Sequence, residues 1–253
     1  MDRLTDAYPA LLQHIIIQTH TGRQTVNWSN PESVRALNSA LLVADYGINP
    51  NYADMLPIGT LFPPVPGRAD YVHHIADLLT RSNNDGDGNV PMGRQVVGVD
   101  VGTGASCIYP ILATSIYGWR MIATEINPTS IQSARNIVTA NALEDLIDVR
   151  VQERSSSIFD GVLHREEVVD FTMCNPPFYS SKEAFQAENA RKLRGLSRSK
   201  KARRSDVVRS MPVDSATTIE SSTGTSNNFG GNANELWCKG GEVAFVKKII
   251  REW

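Results

Sequence analysis

The stretch from Val96 to Pro110, VVGVDVGTGASCIYP, constrains this chain more than any other. Val96, Val97 and Val99 form a β-branched run suited to a strand buried on both faces. The strand ends at Asp100, and Gly102-Thr103-Gly104 precede an apolar, helix-compatible segment from Ala105 to Tyr117. Glycines at such a turn permit backbone angles closed to other residues, and they let a ligand approach the main chain with no Cβ in the way. Strand, glycine turn and helix start together describe the nucleotide-binding corner of a doubly wound α/β domain.

The pattern downstream repeats the alternation. RMIAT (Arg120 to Thr124) reads as a second strand ending at Glu125, and Pro128 to Ala142 as a helix with Ile131, Ala134 and Val138 on one face. Val149-Arg150-Val151 reads as a third strand and VVDFTMC (Val168 to Cys174) as a fourth, which runs straight into Asn175-Pro176-Pro177-Phe178. This order predicts an α/β fold with a parallel doubly wound sheet. Upstream lies a small α+β unit. Ile15-Ile16-Ile17 and Thr25-Val26-Asn27-Trp28 suggest a hairpin, and Ser29-Asn30-Pro31-Glu32 has capping-box spacing. The helix it opens carries Val34, Leu37, Leu41 and Leu42 and should stop near Gly47. Residues 50–67 are proline-rich and read as an irregular loop, followed by a short helix from Tyr71 to Leu79. The polar stretch Asn83 to Gly88 has calcium-loop spacing, but Arg94 stands where the bidentate glutamate is needed, so it reads as a turn.

From residue 182 the character changes. Eight of the fourteen residues from Arg191 to Arg204 are basic, and the segment from Ser215 is rich in Ser, Thr, Asn and Gly. Too little apolar surface is on offer there to offset the ordering entropy, so disorder is expected. The basic run suits RNA phosphates or nuclear targeting as well as a solvated linker. The predicted organisation is an auxiliary unit over 1–82, a core over 83–181, an insert over 182–234 and a core helix over 235–253.

Two features carry chemistry. Glu125 lies 21 residues beyond Gly104 at a strand end, where a carboxylate can accept from both hydroxyls of a ribose. The glycine turn and Glu125 do not separate a nicotinamide enzyme from a methyltransferase; Asn175-Pro176-Pro177-Phe178 does. An exocyclic amine on adenine is a poor nucleophile because its lone pair is delocalised into the ring. The Asn175 side-chain oxygen and the Pro176 carbonyl can both accept its N–H bonds and localise that lone pair toward an electrophilic methyl group. The prolines fix the backbone, and Phe178 offers a face on which to stack the base.

DVGTGASCIYP, ATE and MCNPPF together resemble the RNA adenine-N6 methyltransferase family, which includes the U6 small nuclear RNA methyltransferase and bacterial ribosomal RNA adenine-N6 methyltransferases. The resemblance extends to NPESVRALNSALL, PVPGRADYVHHIADLL and GGEVAFVKKII, and so to nearly the whole chain outside 182–234. It implies a class I Rossmann-like methyltransferase fold, S-adenosylmethionine as donor and an adenosine in structured RNA as acceptor. It also implies residue roles. Gly102 would line the methionine end of the cofactor, within a turn that includes Asp100 and Gly104. Arg68 would neutralise the methionine carboxylate, Glu125 would take the ribose, and Ser156 (or its neighbours Ser155 and Ser157) would add a hydroxyl contact. Asn175, itself also beside the cofactor, would hold the target adenine together with Pro176, Pro177 and Phe178. Relatives carry a basic N-terminal arm, and three further strands beyond GGEVAFVKKII; four strands with an open edge at the fourth are therefore expected here, which leaves activity in question.

The bounds set by composition are weaker. A net charge of −2 confines any nucleic-acid surface to a local patch. Three cysteines without CxxC spacing, and His73 and His74 without a third ligand, offer no metal site. No apolar run reaches membrane-span length and no signal-peptide pattern opens the chain, so a nuclear or cytoplasmic location, not secretion, is expected. Rival functions are methylation of a protein glutamine or a DNA adenine, since NPP-aromatic tetrapeptides serve amide and amine nitrogens alike, and a shortened, inactive RNA- or cofactor-binding module.

Overall fold

The computed structural model describes residues 1–82, 88–177, 179–181, 183 and 238–253. The 83–87 turn, Phe178, the basic run 191–204 and nearly all of the 182–234 insert lie outside them. Four parallel strands form the centre: β3 (Val97–Val101), β4 (Arg120–Glu125), β5 (Ile147–Val151) and β6 (Phe171–Cys174), in the order β5-β4-β3-β6. The hairpin forms as β1 (Ile15–Ile17) against β2 (Gln24–Val26).

Alternation along the strands sorts side chains onto two faces. Val97, Val99, Val101 and Ile122 face Ile158, Phe159 and the partly buried Phe245 and Ile249 of the last helix, α7 (Gly241–Glu252). Met121, Ala123, Ile147, Val149, Phe171 and Met173 point the other way. They pack with α4 (Val65–Ser82), α5 (Ile108–Tyr117) and α6 (Pro128–Ala140). Leu42 of α2 (Pro31–Tyr46) and Tyr52 of α3 (Tyr52–Met55) join that same cluster, so the core crosses the boundary drawn at residue 82. Leu11, Val26, Ala36 and Ala40 make a separate cluster under the hairpin, next to α1 (Asp2–Ala7).

Local chemistry shifts several predicted boundaries. Asn30, not Ser29, caps α2: its side chain accepts from the Glu32 amide at 3.0 Å, which moves Glu32 out of capping-box register. Gly47 closes that helix in the left-handed conformation, as expected. The face that α2 buries is Ser33, Ala36, Asn38, Ser39, Ala40 and Leu42, with Val34, Leu37 and Leu41 only half-buried. The proline-rich loop is shorter than its composition suggests. A single turn forms at α3, and α4 starts at Val65, six residues before the predicted Tyr71. Pro66 fits the first turn because no helical partner is needed for the N–H it lacks. The Val65 amide donates to Asn38 Oδ1 at 2.8 Å. Arg68 therefore stands on a helix and not in a loop. The fourth strand is only Phe171–Cys174, three residues shorter than its apolar run; Asp170 turns back to accept the Val97 amide at 2.7 Å.

Gly98 has a packing role that the reading of the strand passed over. It lies within the fully buried β3, where an added Cβ would collide with the Phe171 ring and stand 2.8 Å from Met121 Sδ. Only a glycine lets the adjacent aromatic cross the strand here. No helix among the described residues is long and apolar enough to cross a membrane. The Gly98→Ala variant should lose about 1–3 kcal/mol of stability through overpacking, measured as a lower urea midpoint at unchanged slope.

Candidate active site

The pairing of β3 with β6 builds the site. Val101 lies opposite Cys174 in the parallel ladder. The next residues, Gly102 and Asn175, therefore leave the same sheet edge on neighbouring strands. A cleft of about 440 Å³ opens there, and its walls include Gly102, Gly104, Glu125, Arg68, Asn175 and Pro177. Brought together from distant parts of the sequence, these are six of the predicted site residues.

The turn is held from the side. Gly102 and Thr103 both donate their amides to the Thr124 carbonyl at 2.9 Å, and Gly104 donates to Glu125 Oε2 at 2.9 Å. Gly102 and Gly104 take φ values of 73° and 66°, and a Cβ on either would point into open space. Their contribution to a ligand is thus bare backbone surface and not free amides. Glu125 is more committed than its sequence position suggested. Its Oε1 accepts the amides of Ile126 and Asn127 at 2.8 and 2.9 Å, in addition to the Gly104 contact. A carboxylate has about four acceptor positions, so roughly one remains for a ribose hydroxyl instead of two.

Asp100 is fully buried, and neither carboxylate oxygen has a hydrogen-bond partner. Burial pushes its carboxyl up to about 7; the nearby Thr103 side chain and the Arg68 charge offset part of that, while Glu125 adds to it. Thr103 Oγ1 and Arg68 Nε are also buried without a partner. Arg68 donates from Nη1 to the Tyr109 hydroxyl and forms no salt bridge among the described residues. Thr103 and Arg68 line the cleft, whereas the buried Asp100 is not part of its wall. An orphaned hydroxyl and an arginine without an anion suit a ligand carrying a carboxylate.

Other candidates separate from the site. Ser156 is exposed and is not part of the cleft wall. The tight turn closed by the Ser157 amide on the Arg154 carbonyl (3.0 Å) lifts it to the surface, where Lys248 of α7 donates to Ser155 O at 2.7 Å. Pro176 follows Asn175 but does not line the cleft, and Phe178 lies outside the described residues. Cys174 is only half-buried, and burial still pushes its thiol up to about 11. Cys107 is not inside its helix but at its N-cap, with φ of 48° and its thiol pushed up to about 12. Neither thiol is a nucleophile at neutral pH. No cluster of three or more His, Cys, Asp or Glu among the described residues could hold a metal. Sequence reasoning missed Tyr109, Thr60, Leu61 and Phe245 in the wall. Only Tyr109 had a signal, since it stands in the glycine-turn stretch.

Comparison with known proteins identifies the family. The Methyltransf_10 family, described as RNA methyltransferase, matches residues 1–253. Ribosomal RNA large subunit methyltransferase F of Bacteroides fragilis is 42% identical over 255 residues, covering 99% of this chain and 75% of that protein. The protein of the same name from Pseudoalteromonas atlantica is 39% identical over 253 residues, 100% of this chain and 72% of its own length. Among solved structures, the catalytic domain of human METTL16 in complex with MAT2A 3′UTR hairpin 1 matches with a TM-score of 0.66 at 30% identity, covering 99% of this chain and 71% of that one. The N-terminal domain of human METTL16 in complex with SAH matches with a TM-score of 0.56 at 36% identity, over 70% of this chain and 64% of that one.

The buried Asp100 carboxyl gives the folded state a pH signature. Its ordinary value is near 3.8 and its folded value about 7, so between these the folded chain holds a proton that the unfolded chain has released. Stability contributed by this group therefore falls as pH rises from about 4 to about 7 and levels above that. The Asp100→Asn variant should lack this decline in denaturant titrations across the same pH range.

Proposed function

The chain belongs to the RNA methyltransferase family, and we propose that its cleft transfers a methyl group from S-adenosylmethionine to the N6 amine of an adenosine in structured RNA. The observation that carries this is the register placing Asn175 next to Gly102 at one sheet edge. The donor, when bound, supplies an electrophilic methyl group on a sulfonium sulfur. Arg68 is matched in charge to the carboxylate of its amino-acid end, Asp100 is assigned to the ammonium on sequence grounds, and the remaining acceptor position of Glu125 suits a ribose hydroxyl. Gly102 and Gly104 admit the ligand against bare backbone.

On the acceptor side the chain works by positioning. The Asn175 carboxamide oxygen accepts one N–H of the target amine, and the Pro176 carbonyl accepts the other. Both bonds strengthen as the nitrogen becomes tetrahedral and its lone pair leaves the ring, so they favour the transition state over the bound ground state. Pro176 and Pro177 restrict the backbone that carries these acceptors. Phe178 is assigned to stacking of the base on sequence grounds.

Ribosomal RNA is the acceptor we favour, because that substrate stands in the names of the relatives at 39–42% identity. A cytoplasmic site of action goes with it. A U6-like small nuclear RNA, with a nuclear location, is the second reading, supported by the hairpin held in the METTL16 complex at 30% identity. Neither a protein glutamine nor a DNA adenine acceptor stands in the names of the relatives described above. The Asn175→Ala variant should lose about a hundredfold or more in methyl transfer while S-adenosylmethionine affinity stays within about threefold. Mass spectrometry of nucleosides from hairpin or ribosomal RNA incubated with each chain reads the first quantity, and calorimetry the second. Equal N6-methyladenosine from both chains would defeat the proposal.

A further inference from the structure

Two tyrosines beside the cleft take no part in the reaction as described. Arg68 and Tyr71 are three residues apart on α4 and share a helix face. Tyr109 belongs to the first turn of α5 and is 5% exposed. Its hydroxyl accepts from Arg68 Nη1, and its ring centroid lies 5.3 Å from the guanidinium carbon, so one side chain engages the arginine through both an oxygen and a π-face. Tyr71 meets Tyr109 edge to face, with centroids 5.4 Å apart and planes at 85°. The Tyr71 hydroxyl in turn lies close to the main chain of Cys174, the residue before Asn175. Burial raises both phenols, which keeps them neutral near pH 7.

A continuous line of contact thus runs from the cleft arginine, through two aromatic rings, to the strand end that carries the Asn175 carboxamide. Arg68 needs such support. A long side chain with no carboxylate partner would otherwise populate many rotamers. We propose that Tyr109 is a positioning residue that fixes the Arg68 guanidinium in the cleft, and that Tyr71 ties this pair to the Cys174–Asn175 strand end. The proposal rests on the cofactor reading of the cleft given above and extends it: donor site and acceptor site are held in one register by Tyr109 in the cleft wall and Tyr71 outside it.

The test is a double-mutant cycle on the full chain, with S-adenosylmethionine affinity measured by calorimetry and methyl transfer to a hairpin RNA measured in parallel. Tyr109→Phe keeps the ring and loses the hydroxyl. It should weaken S-adenosylmethionine binding about tenfold and raise its KM alike, with kcat changed less than about twofold. In an Arg68→Ala background the same substitution should add nothing further. Tyr71→Phe should lower kcat about threefold or more and leave the affinity unchanged. Thermal unfolding serves as the folding control, since a packing role alone would move Tm without the split between KM and kcat. Unchanged affinity in Tyr109→Phe, or an undiminished effect of that substitution without Arg68, overturns the proposal. So does an Arg68→Ala chain that binds as tightly as the parent, a result that leaves the cofactor reading intact. A parent chain that binds no S-adenosylmethionine defeats the cofactor reading itself, and this inference with it.

Discussion

Hydrogen bonds between two short parallel strands set the geometry on which everything else in this molecule depends. Because Val101 pairs with Cys174, the glycine turn after one strand and the Asn-Pro-Pro segment after the other emerge side by side. A slip of one residue would send every side chain of β6 to the opposite face. Two packing constraints prevent it. Gly98 admits the Phe171 ring across β3, and one residue earlier, at the same end of the pair, Asp170 accepts the Val97 amide. The register is therefore enforced by a hole at one residue and a bond at another.

Around that register the protein keeps polar groups in a state that folding alone does not favour. Asp100 is buried without hydrogen bonds, Thr103 Oγ1 and Arg68 Nε likewise, and the cost appears in the raised Asp100 carboxyl. Glu125 is the contrast. Three backbone amides occupy most of its acceptor capacity, so it shapes the turn as much as it could bind a ligand. The cleft thus has one satisfied, structural acid in its wall, with an unsatisfied one buried at the strand end that leads into the turn. Such imbalance is what a charged ligand corrects.

Much of this was legible in the residues themselves. Strand–turn–helix patterning, the position of Glu125 and the Asn-Pro-Pro run are local signals, and they led to a parallel sheet of four strands. Element ends were less legible. Proline content masked the start of α4, because Pro66 is tolerated at a helix start as readily as in a loop. The run VVDFTMC looked like one strand, but Asp170 leaves it to bond with β3. Ser156 matched a family position by its place in the sequence, yet the tight turn at Arg154–Ser157 lifts it out of the cleft. The Arg68–Tyr109–Tyr71 line could not be read in advance at all, since it depends on how α4 and α5 pack against each other. Sequence spacing reports what a single element presents; contacts between elements distant in sequence need the packed fold.

The most direct measurement of the central claim is a crystal structure of the chain soaked with S-adenosylhomocysteine. The ligand should lie across Gly102 and Gly104, with its amino-acid end at Arg68 and its sulfur facing the Asn175 carboxamide. A ligand bound on another surface, or an Asn175 side chain turned away from the sulfur, would contradict it.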